Sequence, residues 1–472
     1  MSDNISINKY NTICIPRWRE LRFEVNDTQK YKIKLIKGLC EHKGMELLPN
    51  KYYLFTDMRS SIFTYTGCEV EVEGESELSY ISELSSYPKL FNIYNNINNI
   101  NNTNITNNIN NSNITNINSS NICNITNNIN NSNILLIGNG ISTTAITLCN
   151  YFIRDNKKVL FTELHPGKGN IFPCTLSTIY VNKLSFNTFD ITNSNININS
   201  NINSNININN TNTNINLINP YCIFYGSKDI DNYELYDVQI NALSKYVGDI
   251  TTNSDIHNVI IAPYIDNDIL NKTIEIFNIN RVIVCGDERL YNKLKNINIK
   301  NNSNLNNTNN KINNNTNNNL NNDILNNSYF LSMADGYIHN DKINKSIRRY
   351  FHGEELVEIN NVFQLKEVFS PARITLSNPV VVKVGEDYIA PDTALPLGAS
   401  RKLGVVGVEE VDLSENAVLA LSECGEKEDL ATFPVSAFLV CTDEKKGKML
   451  SVQPKLPKNT FIIQSNIKYT TT

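Results

Sequence analysis

Three asparagine-dominated tracts, approximately Asn95 to Asn133, Asn193 to Asn216 and Asn296 to Asn327, set the outer limit on what this chain folds into. Their repeated units, such as Asn-Ile-Thr-Asn-Asn-Ile-Asn-Asn-Ser, offer neither a helical apolar stripe nor a turn-bounded alternation, so they read as solvated, disordered insertions. They remove nearly a hundred of the 472 residues and leave about 370 for packed domains. Loop-closure entropy grows only logarithmically with length, so compact domains tolerate such inserts at a cost of a few kcal/mol. The hazard they bring is β-assembly, because they are Asn-rich and weakly charged.

The 42 Lys and Arg against 47 Asp and Glu give a net charge of -5, which excludes whole-chain attraction to nucleic acid but leaves a local basic groove open. The ten cysteines stand singly, without the paired spacing of a zinc cluster or disulfide scaffold. A reducing compartment is expected. Met1 to Tyr10 lacks the apolar segment of a secretory signal, and runs such as Ile134 to Ile137 and Val259 to Ala262 fall far short of the ~20 residues that span a bilayer. The expectation is a soluble intracellular protein with no membrane partner.

Between the tracts the patterning changes twice. Tyr31 to Ile36, Lys51 to Thr56, Ser61 to Tyr65 and Cys68 to Val72 alternate with period two, punctuated by Gly38, Gly44, Gly67 and Gly74. That pattern predicts a small β-sandwich or barrel over residues 1–90. Trp18 and Phe23 are read as part of its core. After a linker over 91–133, Ile134 to Ile137 gives a buried strand closed by Gly138-Asn139-Gly140, with Ser142 or Thr143 able to cap the helix that follows. Val159 to Phe161, Tyr221 to Tyr225, Asn258 to Ala262 and Arg281 to Cys285 continue as strands, with helices at Glu234 to Val247 and Asp268 to Phe277. This order predicts a central α/β domain with a mostly parallel sheet over 134–369, carrying inserts near 193–216 and 296–327. Short strands from Val380 to Val384, Leu403 to Val408, Val435 to Val440, Met449 to Val452 and Phe461 to Ser465 predict a carboxy-terminal β domain over 370–472.

A glycine turn leading into a helix is where an α/β domain presents amides to phosphate. Counting G-x-x-x-x-G-K-[ST] from Gly138 puts Thr143, Thr144 and Ala145 at the last three positions, which is no match, and a third Rossmann glycine is also missing. From the residues alone Gly138 and Gly140 therefore stand between a plain structural turn and a weakened nucleotide site. Glu163 is the acid nearest the end of the next strand. His165 has a reference pKa suited to a base but is a poor ligand for a hard cation, and an exposed turn histidine is the plainer reading. Arg289, after the Arg281 to Cys285 strand, is positioned either to clamp a phosphate or to make a helix-start ion pair. Lys345, Arg348 and Arg349 precede Tyr350 and Phe351 as a basic group that could contact RNA or a partner, or form the solvated face of a helix with two core aromatics.

The landmarks then resemble a known family. Glu20 to Val25, Gly38-Leu39-Cys40-Glu41, Gly44-Met45-Glu46-Leu47 and Ile62 to Cys68 are similar to the first domain of the polyribonucleotide 5′-hydroxyl kinase family of the pre-mRNA cleavage complex. Asn150-Tyr151, Gly226-Ser227, Glu288 to Asn292, Tyr350-Phe351-His352-Gly353, Pro391 to Gly398 and Leu456-Pro457 follow in the family's order. The resemblance implies an ATP site with Mg, the adenine held through Glu20 or Glu24 and the phosphates by Gly138, Gly140, Ser142 and Thr143. If magnesium is held, Thr143 and Glu163 are its implied ligands.

Two departures weigh against catalysis. Where the family reads G-P-T-D-V-G-K-S-T, this chain reads Gly138-Asn139, a gap of three residues, then Gly140-Ile141-Ser142-Thr143, so Ile141 falls at the lysine. Loss of such a charge-stabilising group typically costs roughly 3–5 kcal/mol at the transition state, about 10² to 10⁴ in rate. His165 replaces an aspartate at the second site, and Lys168 replaces a glutamine, which returns one positive charge. The resemblance implies a non-catalytic nuclear scaffold of mRNA 3′-end processing that binds a large cleavage-factor subunit and other 3′-end processing proteins. It extends to the tRNA splicing endonuclease and to RNA. The alternative is an active RNA 5′-hydroxyl kinase using His165, Lys168 and Arg289.

Overall fold

The computed structural model describes residues 11–97, 131–189, 220–252, 255–295, 328–331, 342–377, 379–385, 407–457 and 460–470. The bulk of the asparagine tracts, with Pro391, Pro396 and Gly398, lies outside the described residues.

The amino-terminal part is a β-sandwich. One sheet orders its strands Asn11–Ile15, Cys68–Gly74, Tyr31–Gly38, Tyr52–Phe55, Val362–Lys366 and Glu355–Ile359; the other orders Met45–Glu46, Glu41–His42, Met58–Thr64, Arg19–Val25 and Leu78–Ser82. Period-two alternation produces it: Tyr31, Ile33 and Leu35 are buried while Lys32 and Lys34 between them remain partly exposed. The hairpin Glu355–Ile359 with Val362–Lys366 falls inside the span assigned to the central domain, yet it extends the sandwich, with Val362 and Phe363 pairing in parallel with Tyr52 and Tyr53. Phe23 is core, as expected. Trp18 is not. It is 42% exposed, in a turn at φ 64°, with its edge against Tyr65. The left-handed turn between the first two strands turns the indole away from the sheet interface.

The central sheet orders Tyr221–Phe224, Thr175–Val181, Lys158–Glu163, Ile256–Ile261, Asn133–Gly138, Arg281–Cys285 and Ser328–Leu331. The last five are mutually parallel; Thr175–Val181 runs antiparallel to both of its neighbours and forms a wing. Helices Ile141–Arg154, Tyr233–Thr252 and Asn267–Ile276 cover the sheet. The carboxy-terminal sheet orders Ala372–Thr375, Lys448–Ser451, Val435–Asp443, Ala417–Ser422, Phe461–Lys468, Val381–Val384 and Val408–Glu410. Phe172 of the central domain stacks on Phe438 of this sheet with ring centroids 3.5 Å apart, and Tyr350 closes the contact by accepting the Phe438 amide at 3.1 Å.

Helix Lys342–His352 touches all three parts: Lys345 pairs with Asp57 of the sandwich, Ser346 donates to the Gly169 carbonyl at 2.6 Å, and Tyr350 reaches Phe438. Both aromatics, Tyr350 and Phe351, are buried, so the core half of the reading made for this segment holds.

Candidate phosphate site

The turn after the first central strand is short because its glycines serve packing. Gly138 has φ 100°, and a Cβ there would lie 2.2 Å from the Cys285 carbonyl oxygen of the adjacent strand. The Asn139 amide is spent on that same carbonyl, at 2.8 Å. Gly140, at φ 73°, is the helix N-cap and brings no side-chain cap. Ser142 and Thr143, expected to cap, lie instead inside the first turn, because the helix begins directly after Gly140. Its first intrahelical amide bond is Thr144 to Gly140. Only the amides of Ile141, Ser142 and Thr143 precede that bond, which is a helix start without an enclosing loop. Ile141 is 1% exposed and packs into the main core.

In front of this turn lies a cleft of about 1370 Å³ between the sandwich, the helix start and helix Lys342–His352. Glu20, Glu24, Gly140, Ser142, Thr143 and Lys168 line it; Gly138, Glu163, His165 and Arg289 are not among its lining residues. Glu20 and Glu24 stand four residues apart on strand Arg19–Val25 and so share a face. Each already has a cation: Arg22 for Glu20, which also accepts from Ser85 at 3.1 Å, and Arg59 for Glu24.

Glu163 is buried and its carboxylate is occupied. One oxygen accepts from the Asn170 side-chain amide at 2.7 Å, the other from the backbone amides of Asn170 and Ile171 at 2.9 and 3.2 Å. Burial raises its pKa to about 7, with Lys342 opposing the shift. It therefore holds the Gly169–Ile171 loop in shape and does not offer a free oxygen to a cation. His165 accepts from the Gly167 amide at 3.3 Å within its own turn, and burial, followed by Lys168 and Lys342, lowers its pKa to about 4. Arg289 is exposed, and the neighbouring Asp287 caps its local turn through the Leu290 amide at 2.9 Å.

The positive charge comes from elsewhere. Lys43, buried in the sandwich's Glu41–Glu46 hairpin, donates to the Asn187 side chain at 2.7 Å. Lys342 stands 3.4 Å from both Ser142 Oγ and Asn170 Oδ1. Lys168 lines the same cleft. Burial lowers the pKa of Lys43 and of Lys342 to about 8 each; Lys342 adds to the drop at Lys43, whereas Glu163 resists the drop at Lys342. Lys168 is lowered in the same direction, mainly by burial. Lys342 was not singled out in the sequence, although a signal was present: Lys342, Ser346 and Arg349 share one helical face, while Lys345, Arg348 and His352 share another. The first face meets the Gly169–Asn170 loop, where Arg349 donates to the Asn170 carbonyl at 2.8 Å, and the second pairs with Asp57 and Glu367.

The amines of Lys43, Lys168 and Lys342 and the hydroxyls of Ser142 and Thr143 around this cleft fit a phosphate group. The strand-end acid, Glu163, already accepts three hydrogen bonds from the Asn170–Ile171 loop.

Residues 14–103 match the family model of the N-terminal beta-sandwich domain of polyadenylation factor, and residues 138–329 match that of the mRNA cleavage and polyadenylation factor CLP1 P-loop. The chain is 22% identical to the protein CLP1 homolog of Dictyostelium discoideum, across 98% of this chain and 91% of that protein. It is 23% identical to the polyribonucleotide 5′-hydroxyl-kinase Clp1 of Homo sapiens, across 95% of this chain and 94% of the relative. A solved wild-type Clp1p–Pcf11p complex superposes with a TM-score of 0.65 at 16% identity, over 98% of both chains. A second Clp1p structure, described by its extended interface with Pcf11p and by ATP loss in a point mutant, gives 0.67 at 17% identity over 98% of this chain and 99% of the other.

Proposed function

Because the chain belongs to the Clp1 family of mRNA cleavage and polyadenylation factors, we propose that it is a nuclear subunit of the 3′-end processing machinery whose central cleft binds phosphate without transferring it. The partner is a large cleavage-factor subunit of the Pcf11p kind, a reading supported by the likeness to Clp1p–Pcf11p complexes over nearly the whole chain. One observation carries the non-catalytic half. At the helix start, Ile141 is core and the nearest strand-end acid, Glu163, accepts three hydrogen bonds from its own loop.

Phosphoryl transfer needs charge neutralisation on the moving group, an activated hydroxyl and bound magnesium. His165 is turned into its loop with a depressed pKa, so it is not set to take a proton from a substrate in the cleft. The test is transfer of labelled γ-phosphate from ATP with magnesium to a 5′-hydroxyl oligoribonucleotide. The expected result is no transfer above that of an enzyme-free control, together with retention of the chain on an immobilised Pcf11-type subunit.

A second reading, ATP-dependent RNA 5′-hydroxyl kinase, is favoured by the names of the curated relatives, which are polyribonucleotide 5′-hydroxyl-kinases over 95% of this chain. The convergence of Lys43, Lys168 and Lys342 on the cleft also supports it. Turnover in the same assay, lost on changing Lys168 or Lys342, establishes that reading in place of the first.

A further inference from the structure

We propose that Lys342, assisted by Lys43 and Lys168, replaces from outside the turn the lysine that the shortened phosphate loop lacks, making the cleft a site for the terminal phosphate of a nucleotide or of an RNA 5′ end. This rests on the phosphate-binding half of the reading above and adds the residues responsible.

The three amines come from three separate elements: the sandwich hairpin, the loop after strand Lys158–Glu163, and helix Lys342–His352. All three line one cleft whose floor is the helix start. Among the described residues the Lys342 amine makes long polar contacts, 3.4 Å to Ser142 Oγ and 3.4 Å to Asn170 Oδ1. Ser142 belongs to the helix start whose Ile141, Ser142 and Thr143 amides precede the first intrahelical bond, so the amine stands where an anion at those amides would meet it. A lysine tied to its structure by short carboxylate pairs is spent; Lys345, on the same helix, is such a case through Asp57. Lys342 is not held that way. Its nearby carboxylate, Glu163, faces the Asn170 and Ile171 amides with both oxygens.

Packing three mutually repelling amines around one cavity costs desolvation and repulsion, and a doubly charged phosphate between them removes both penalties together. The Lys342 amine reaches the helix start from helix Lys342–His352, outside the glycine turn. Lys43, from the sandwich, is the one of the three amines that comes from outside the central domain.

The test uses the full chain without magnesium and three ligands: ATP, a 5′-phosphorylated oligoribonucleotide and the same oligonucleotide with a 5′-hydroxyl. Binding is followed by calorimetry, with thermal unfolding of each variant as a fold check. Lys342→Met is expected to weaken the phosphorylated ligands at least tenfold while leaving the unliganded protein as stable as the wild type or more so. Lys345→Met is expected to leave affinity within twofold. The ligand of ATP and RNA that responds more strongly to Lys342→Met identifies the source of the phosphate, and the 5′-hydroxyl RNA should not respond. Equal affinity of wild type and Lys342→Met for both phosphorylated ligands overturns the proposal, as does failure of the wild type to bind either at millimolar concentration. Detection of kinase turnover defeats the non-catalytic reading but leaves this site standing, so the two failures are distinguishable.

Discussion

The two ends of helix Ile141–Arg154 have been built to different standards. At its carboxy-terminal end, the helix is locked to the sandwich. Tyr151 donates to Glu41 at 2.6 Å, Arg154 reaches Glu41 and the Gly44 carbonyl at 3.1 Å each, and Asn150 donates to the Lys43 and Ser185 carbonyls at 2.7 and 2.8 Å. At its amino-terminal end there is a three-residue turn, no side-chain cap and a core isoleucine, Ile141. Several landmarks that carry the family resemblance, Glu41, Gly44, Asn150 and Tyr151, belong to the locked end. The resemblance therefore reports chiefly on how the domains are joined. The contacts that join the domains and the cleft lie at different ends of one helix.

The largest effect is expected at the locked end. Gly44 sits at φ +78°, and a Cβ there would lie 3.0 Å from the Thr147 carbonyl and 3.2 Å from both Asn150 Cβ and Tyr151 Cδ1. Gly44→Ala combines left-handed strain with a collision against helix backbone, so a loss of about 3–4 kcal/mol is expected in urea unfolding. A loss under 1 kcal/mol would mean that the hairpin moves freely and that the two ends do not differ as argued. Asn150→Ala follows at about 2–3 kcal/mol, because it strands two carbonyls and the Ser185 amide, which donates to Asn150 Oδ1 at 2.8 Å. Partial rescue by Asp, which keeps the acceptor but loses the donor, would sharpen the assignment to individual bonds.

The cleft end should show itself in pH dependence. Burial raises the Glu163 pKa from 4.5 to about 7. A folded-state pKa above the unfolded one means that the native state binds the extra proton. Its contribution to stability is complete below about pH 4.5 and is lost as pH rises through about 7. Comparing wild type with Glu163→Gln removes the other titrations: whatever constant offset the amide introduces, the wild type should lose ground to the variant as pH rises across that window. A flat difference curve would mean that the Glu163 carboxyl has the same pKa folded and unfolded, and hence that burial does not govern it.

How much of this could be read from the chain follows the same division. Alternation of Tyr31, Ile33 and Leu35 wrote the sandwich into local sequence, and the strand–turn–helix order around Gly138 wrote the central sheet. Trp18 misled because residue type predicts burial only where the backbone points the side chain inward, and its left-handed turn does not. The hairpin at 355–366 joins strand Tyr52–Phe55 across some three hundred residues, a pairing that no local period encodes. Glu163 was visible as an acid at a strand end, but its consumption by Asn170 and Ile171 depends on a loop geometry that sequence does not state. Lys342 lies just before the basic group Lys345, Arg348 and Arg349, and only the helical phase separates its cleft-facing side from the paired one.

The smallest expected effect bears on that last distinction. Arg289 carries a charge in the sequence position of a phosphate clamp, yet it is exposed and is not among the cleft's lining residues. An exposed side chain away from a network contributes little, so Arg289→Ala should change unfolding free energy by no more than about 0.5 kcal/mol. It should also leave phosphate affinity within twofold, while Lys342→Met at the opposite wall does not. If Arg289→Ala weakened phosphate binding as strongly as Lys342→Met, the strand-end edge would have to close over the ligand, and charge would be supplied from the ancestral side. An unchanged affinity means that position in the family's order and position in the working cleft have separated in this chain, and that its cationic groups have to be found by their distance from the helix start.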